Sequence, residues 1–228
     1  MKRLAQYLFA IVLSIFAIAA TAMDINVQGA ALVMSGPVVD GDLTTVQNHL
    51  IANQAIGIAI LRNSSGGHVA TGYAVGELFR SRRFTTVTSG YCISACSRMF
   101  LGGVIRQFAS TANGEPSYVG FHGHYDSSGN LLRELVDQRG LFEWIVKHTD
   151  GKASADLVKQ WIYLPRNTDI FAFFHPSTQF DDEKTVRNCE RYTRKTGAPL
   201  RCPGLNVDAI SQGVITTLDR FELVNYKF

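Results

Sequence analysis

Three short stretches hold the side chains and glycines that could do chemistry in this sequence. They are NSSGG (63–67), YCISAC (91–96) and GFHGH (120–124). Ser94 lies in the second stretch, and His122 and His124 lie in the third. A serine hydroxyl becomes a nucleophile when a neighbouring histidine takes its proton. These residue types therefore raise the hypothesis of nucleophilic catalysis, provided that the fold brings the stretches together.

Ser94 stands where a predicted strand runs into a predicted helix. At such a turn a serine is held away from the sheet, and the first amides of the helix can bind an oxyanion. The surrounding sequence is not GxSxG, so the nucleophile turn of the α/β-hydrolases is not matched. Taken alone, Ser94 is also explained as a helix cap.

Gly66 and Gly67 follow a predicted buried strand. Paired glycines allow backbone conformations closed to other residues, and amides at the start of a helix favour negative charge. A tight turn would also explain the pair. A phosphate loop is not predicted, because neither the Walker spacing nor GxGxxG is present.

The histidines allow two interpretations. His122 and His124 could bind a metal with His68 or Asp126, but no third ligand stands at a recognisable spacing, so no metal is predicted. A catalytic histidine instead needs a carboxylate to orient it. Asp126 is close in sequence, whereas Asp169 lies in LPRNTDIFAFF (164–174), a predicted loop after the last helix.

The first 22 residues have the features of a signal peptide. Lys2 and Arg3 precede an apolar run over 8–20, and Ala20-Thr21-Ala22 provides small residues at a cleavage site. The run is short for a membrane anchor, which needs about 20 apolar residues. Without Lys2 and Arg3, 20 basic and 19 acidic residues remain. We therefore expect an exported chain, periplasmic or secreted, with no charge that favours nucleic acid.

Export changes the interpretation of the four cysteines, because disulfides form and persist in oxidising compartments. Cys189 and Cys202 close a loop of ordinary size and are the expected disulfide. Cys92 and Cys96 can be bridged only if the backbone brings their Cα atoms within about 7 Å. A reactive thiol in this pair is the alternative, although export favours pairing.

Strands and helices alternate over the first hundred residues after the signal peptide. Strands are predicted over 30–36, 56–62, 84–89, 107–110 and 117–123, and helices over 41–53 (capped by Asp42), 68–82, 97–103, 131–148 and 153–162. This order predicts an α/β fold of repeated βαβ units, with a mostly parallel sheet covered by helices. Ligands bind such sheets at the carboxyl ends of the strands, where NSSGG and YCISAC both fall. The length predicts one domain over 23–228.

With this order in view, IGIAILRNSSGG (56–67) resembles the Clp-type serine protease family of the Clp/crotonase fold, in which a strand precedes Asn-Ser-Pro-Gly-Gly. The resemblance continues through Ser94, LGGVIRQF (101–108) and VGFHG (119–123). The run from SAC to GFH is most similar to predicted periplasmic relatives of that family. The resemblance covers about 30–175, and the extension from about 180 has no counterpart.

The resemblance implies a role for each site residue. The nucleophile would be Ser94, the general base His122 and the orienting acid Asp169, with an oxyanion hole of the backbone amides of Ala95 and either Gly67 or Gly66. Asp126 competes with Asp169 for the third role. Ser65 departs from the family's proline, and Cys92, Ile93 and Cys96 replace small residues around Ser94. The resemblance also implies an extended substrate strand beside the site and a homo-oligomer.

The main hypothesis is therefore an exported serine hydrolase, a peptidase that works without ATP, an ATPase partner or a cofactor on peptides or unfolded chains. The alternative is a non-catalytic binding or assembly module on the same fold. The position of the Ser94 hydroxyl relative to His122 and the Gly67 and Ala95 amides separates the two.

Overall fold

The computed structural model describes residues 22–110, 116–138, 140–191 and 202–228. Apart from Ala22, the predicted signal peptide lies outside these residues. The strands are β1 Asp24–Gln28, β2 Ala31–Ser35, β3 Ile58–Ser64, β4 Thr85–Ile93, β5 Ile105–Phe108, β6 Tyr118–Phe121, β7 Ile170–Phe174, β8 Val186–Cys189 and β9 Gly204–Leu205. The helices are α1 Asp42–Ala52, α2 Val69–Ser81, α3 Ala95–Gly102, α4 Arg133–Gln138, α5 Leu141–His148 and α6 Ala155–Ile162.

One half of the sheet is parallel. β2, β3 and β4 are adjacent and parallel, and α1 and α2 form the connections between them. β4 is long enough to pair with β5 along residues 85–88 and with β6 along residues 91–93. Because these strands run in one direction, the loops after β3, β4 and β6 open at the same edge of the sheet. This edge brings the three stretches singled out above together.

The other pairings are antiparallel, which corrects the expectation of a mostly parallel sheet. β1 pairs antiparallel with β2, and β6, β7, β8 and β9 are antiparallel in succession. β7 falls in the stretch that was predicted as a loop. Its five residues are all buried, so the apolar run IFAFF forms a strand covered on both faces.

Several element boundaries and one helix cap also differ from the predictions. β4 does not end at residue 89 but continues to Ile93, directly before Ser94. The single helix expected over 131–148 is two helices, since Gly140 adopts a left-handed conformation (φ 59°) between them. The N-cap of α1 is Gly41 rather than Asp42, whose carboxylate accepts a hydrogen bond from the Val39 amide at 2.7 Å.

Glycines bring α2 and α3 into close contact. A Cβ atom at Gly72 would lie 2.5 Å from the Ala95 carbonyl oxygen, and one at Gly76 would lie 2.5 Å from that of Arg98. A glycine inside a helix costs roughly 0.5–1 kcal/mol relative to alanine. Here the cost is offset because the glycines let the backbones of α2 and α3 come closer than any side chain would allow. This close contact fixes the position of α3 and of the turn before it.

The two faces of the sheet are covered differently. The main core lies between the sheet and the helices, with Phe79, Phe100 and Trp161 among its largest side chains. A smaller cluster on β2, β3 and β4 is packed by Phe221, Leu223 and Tyr226 of the C-terminal segment, which thus serves as cover for the sheet. Within the residues described, no helix has the length and apolar character required to cross a membrane.

Candidate active site

Ser94 is the single residue between β4 and α3, and its backbone is unusual. Its φ is 58° and its ψ is −123°, a region that residues other than glycine rarely occupy. Such a conformation costs about 1–3 kcal/mol and persists only where the surrounding structure holds it. The side chain of Ser94 is half-buried and makes no capping hydrogen bond to α3. Ser94 therefore occupies the N-cap position of α3, but its side chain does not cap the helix.

Several contacts hold the Ser94 turn. The Ser94 amide donates to the Gly120 carbonyl of β6 at 3.0 Å. The Ser94 carbonyl accepts from the Ser97 amide at 2.9 Å and from the Ser97 hydroxyl at 2.6 Å. Cys92 and Cys96 form a disulfide across the turn, with their Cα atoms 5.2 Å apart. The pair therefore meets the distance condition, and the reactive-thiol alternative does not apply.

The Gly66–Gly67 loop lies directly against this turn. Gly66 has a φ of 84°, and a Cβ atom there would be 2.6 Å from Ser94 Cβ and 2.8 Å from the Ala95 nitrogen. Gly67 has a φ of 144°, and its Cβ atom would be 2.2 Å from the Val38 carbonyl oxygen. Both positions therefore require glycine for conformation and for space.

Among the amides of this region, that of Gly66 already donates to Ser64 Oγ at 3.3 Å. Ala95 is the first residue of α3, so its amide belongs to the group that has no acceptor within the helix. The start of α3 also carries the positive end of the helix dipole. The Ala95 amide is therefore the stronger candidate for an oxyanion donor, and the Gly66 amide the weaker one.

One cavity of about 280 Å³ lies where these loops meet. Its lining residues are Pro37, Ser65, Gly66, Gly67, Val69, Ser94, His122, Gly123, His124, Tyr125, Asp126 and Asn167. Ser94, both glycines and His122 thus line a single space, although they come from three separate loops. Ala95 follows Ser94 in the chain, is 2 % exposed and is not among the lining residues.

His122 and His124 come just after β6 and are both buried. The His122 ring is 5 % exposed and stacks on Tyr125 with ring centroids 5.0 Å apart. His124 Nε2 lies 3.2 Å from the Tyr73 hydroxyl. No group of three metal-ligating side chains occurs within the described parts of the chain.

The two candidate carboxylates differ in their positions. Asp126 lines the cavity, and its carboxylate accepts hydrogen bonds from the amides of Ser128 (2.8 Å) and Asn130 (2.9 Å). These bonds, above all those from Asn130, hold the pKa of Asp126 below its usual value. Asp169 is buried next to β7, where it accepts from the Arg191 amide at 3.2 Å, and it is not among the lining residues.

Asn167 lines the cavity and was not singled out from the sequence. It stands two residues before Asp169, in the same segment between α6 and β7. An asparagine in a polar loop carries no local sign of a functional role. The only available signal was its position two residues before Asp169, the orienting acid that the resemblance implies.

The second disulfide lies elsewhere in the protein. Cys189, at the end of β8, is bonded to Cys202 just before β9, with Cα atoms 4.1 Å apart. This pairing confirms the prediction, although most of the loop that it closes lies outside the described residues. Two disulfides in one chain are typical of an oxidising compartment.

No protein-family model and no curated protein matches the sequence. Among solved structures, ClpP1 from Listeria monocytogenes is similar with a TM-score of 0.49 and 14 % identity, over 82 % of this chain and 89 % of that one. A point mutant of ClpP1 from Listeria monocytogenes has a TM-score of 0.44 and 16 % identity, over 58 % and 78 %.

A third similar structure is a mutant of the 1510-N membrane-bound stomatin-specific protease. It has a TM-score of 0.44 and 13 % identity, over 60 % of this chain and 71 % of that one. Likenesses of this size carry no argument about activity. What the protein does therefore has to be argued from the cavity and its residues.

Proposed function

We propose that this protein is an exported serine hydrolase, a peptidase of the Clp/crotonase fold that acts without ATP. The observation that carries the proposal is the shared cavity of Ser94, His122 and the Gly66–Gly67 loop. A nucleophile, a base and oxyanion donors are the three parts that acyl transfer requires. Each comes from a different loop, and all three loops follow strands at one edge of the sheet.

The strained backbone of Ser94 supports the role of nucleophile. The left-handed φ of Ser94 is held here by a disulfide and by four hydrogen bonds of the Ser94 backbone, and a simple connection would avoid its energetic cost. Strained residues of this kind are concentrated at active sites. This conformation supports a catalytic role for Ser94, which lies directly before the first residue of α3, next to the amides that would stabilise the oxyanion.

In the proposed reaction, Ser94 Oγ attacks the carbonyl carbon of a peptide bond while His122 takes the hydroxyl proton. The negative charge that develops on the carbonyl oxygen is stabilised by the amides of Gly67 and Ala95 and by the positive end of α3. His122 then gives its proton to the leaving amine. A water molecule, activated by the same histidine, hydrolyses the acyl-enzyme.

The third member of the site has three candidates. Asp169 is the residue that the resemblance implies, and Asp126 is ionised and lines the cavity. Asn167 lines it as well and could hold the imidazole by a hydrogen bond without adding a charge. We retain Asp169 as the proposed residue. Single substitutions of the three residues would rank them by the loss of Ser94 reactivity.

The proposed substrate is a peptide or an unfolded chain, taken up as an extended strand beside the site. A cavity of about 280 Å³ accommodates one or two side chains rather than a folded domain. The two disulfides support action in an oxidising compartment, where no ATP-driven partner would supply unfolded chains. A homo-oligomer is part of the same proposal.

A fluorophosphonate probe tests the proposal, because it reacts with serines that an adjacent base activates. We expect the mature protein to be labelled at Ser94, as located by peptide mass spectrometry, and Ser94→Ala to abolish the label. Ser81→Ala, on the exposed end of α2, is the control that should keep full labelling. Labelling that survives in Ser94→Ala would refute the assignment. Absence of labelling in the unchanged protein would favour the non-catalytic binding module.

A further inference from the structure

Arg98 lies in α3, one turn after Ser94, and its side chain is almost fully buried at 1 % exposure. One guanidinium nitrogen, Nη1, donates to the Ser94 carbonyl at 3.2 Å and to Ser97 Oγ at 2.7 Å. The other, Nη2, donates to the His122 carbonyl at 2.6 Å. One rigid group thus joins the backbones of the residues proposed as nucleophile and base.

The geometry of arginine suits this link. Its planar guanidinium directs donors in two fixed directions, whereas the ammonium of lysine is a point charge on a flexible stem. Ser94 and His122 lie on loops after different strands. The Ser94 amide is bonded to the Gly120 carbonyl of β6, two residues before His122, and this bond leaves the distance from Ser94 to His122 itself partly open. The two Nη atoms of Arg98 hold the carbonyls of Ser94 and His122 from one guanidinium group, which we call the Arg98 fork. The side chains of Ser94 and His122 both line the cavity.

Stability is a poor explanation for a charge at this place. Taking a cation out of water is expensive unless it is paired and hydrogen-bonded, and even a complete buried ion pair is weak evidence of a contribution to stability. Across the described ranges, no carboxylate lies within ion-pair distance of Arg98. The Ser94 carbonyl also has two other donors, from Ser97, so it would remain bonded without Arg98.

A second buried arginine provides the contrast. Arg106 on β5 is 0 % exposed and donates to the carbonyls of Gly103 (2.6 Å), Gly213 (2.8 Å) and Val214 (3.1 Å). It also lies 3.6 Å from the carboxylate of Asp150. Arg106 therefore joins β5 to the C-terminal segment, away from the cavity, and its counter-charge is present.

We propose that Arg98 is a positioning residue of the active site, which holds the Ser94 turn and the His122 loop at the separation that proton transfer requires. The proposal rests on the proposed function of Ser94 and His122. Misplacement of catalytic groups by about 1 Å can reduce a rate about 100-fold. Loss of the Arg98 fork should therefore act on the rate of the chemical step more than on substrate binding or on folding.

The test compares Arg98→Met with the matched control Arg106→Met. For each variant, the dependence of fluorophosphonate labelling on probe concentration gives the maximal rate of labelling and the half-saturating concentration. We expect Arg98→Met to lower the maximal rate about 100-fold, with the half-saturating concentration changed less than about twofold. Arg106→Met should lower the melting temperature more than Arg98→Met does, while its folded fraction labels at the normal rate.

Chemical rescue separates positioning from general structure. In Arg98→Ala, guanidinium at concentrations too low to denature the protein should recover at least about tenfold of the lost rate, and ammonium at the same concentration should not. Arg98→Lys, which keeps the charge but not the fork, should fall between Arg98→Met and the unchanged protein, and it serves as the test if Arg98→Met does not fold.

The outcomes are distinct. Normal labelling in folded Arg98→Met would overturn the positioning role and leave the proposed function intact. Loss of labelling that follows the melting temperature equally in the Arg98 and Arg106 variants, without rescue, would show a structural role only and overturn it as well, as would failure of both Arg98→Met and Arg98→Lys to fold. Absence of labelling in the unchanged protein would overturn both proposals together.

Discussion

The two disulfides connect regions of different kinds. Cys92 and Cys96 are four positions apart, both are fully buried, and their bond spans the strained turn at Ser94. Cys189 and Cys202 are thirteen positions apart, and their bond joins β8 to the segment before β9 at the far end of the sheet. The bond is the same in both cases, but what it constrains is different.

A disulfide stabilises a protein mainly by restricting the unfolded chain, and the effect grows with the loop that it closes. By this relation the Cys189–Cys202 bond contributes about 3 kcal/mol and the Cys92–Cys96 bond about 2 kcal/mol. The short bond adds a local effect, because it opposes relaxation of the Ser94 turn. The Cys92–Cys96 bond thus has the smaller expected effect on stability and the larger expected effect on the chemistry at Ser94.

Of the changes that separate the two disulfides, Cys92→Ala with Cys96→Ala has the largest expected effect on the site. The strain at Ser94 is worth about 1–3 kcal/mol, and without the bond part of the population can relax to a conformation with negative φ. We expect the rate of fluorophosphonate labelling at Ser94 to fall about tenfold, since the hydrogen bonds from Ser97 and to Gly120 remain. Unchanged labelling kinetics in this variant would show that the bond is not needed to hold the turn.

The next effect concerns the peripheral bond. Cys189→Ala with Cys202→Ala should lower the free energy of unfolding by about 3 kcal/mol, measured by denaturant titration, because the unfolded chain regains the entropy of its longest disulfide loop. The rate of labelling at Ser94 should stay within about twofold of normal, since neither cysteine lines the cavity and the backbone pairing of Cys189 with Ile170, next to Asp169, does not need the disulfide. A tenfold loss of labelling here would remove the distinction between the two bonds.

The smallest expected effect is a pH dependence of the free energy of unfolding that comes from His175, the residue directly after β7. Burial lowers the pKa of His175, which accepts from the Ser177 amide through Nδ1 and lies 2.8 Å from the Leu218 carbonyl through Nε2. Below pH about 6.5, the unfolded chain binds a proton at this histidine more readily than the folded chain does. Stability should therefore fall as the pH decreases below about 6.5, and not above it.

Unfolding titrations at pH about 7.5 and about 5.5 measure this dependence. In His175→Gln the loss of stability between the two values should be smaller than in the unchanged protein. Contributions of other histidines, such as buried His148, are common to both proteins and cancel in the difference. An equal loss in the two proteins would show that His175 does not contribute.

The meeting of the Ser94, Gly66–Gly67 and His122 loops could be predicted from the sequence, because parallel strands place their following loops at one edge. The roles of these residues stay predictions. β7 could not be recognised as easily, since a run of five buried apolar residues has no alternating pattern. β1 and β8, which complete the antiparallel part of the sheet, are short and partly exposed, so neither has a clear strand pattern either.

Other features depend on contacts that no local pattern encodes. The bridge between Cys92 and Cys96 spans a turn in which Ser94 has a left-handed φ, and the sequence does not show such a φ at a residue other than glycine. The fork of Arg98 spans two loops that are far apart in the chain, and Asn167 reaches the cavity from a third. Such residues become visible only when the strands are assembled.

The central claim is that Ser94 is the nucleophile and that the Gly67 and Ala95 amides receive the oxyanion. A crystal structure of the fluorophosphonate adduct tests it most directly. The account predicts phosphorus bonded to Ser94 Oγ, the phosphoryl oxygen within hydrogen-bond distance of both amides, and a His122 ring nitrogen facing the adduct. An adduct on another residue, or a phosphoryl oxygen directed away from these amides, would contradict the account.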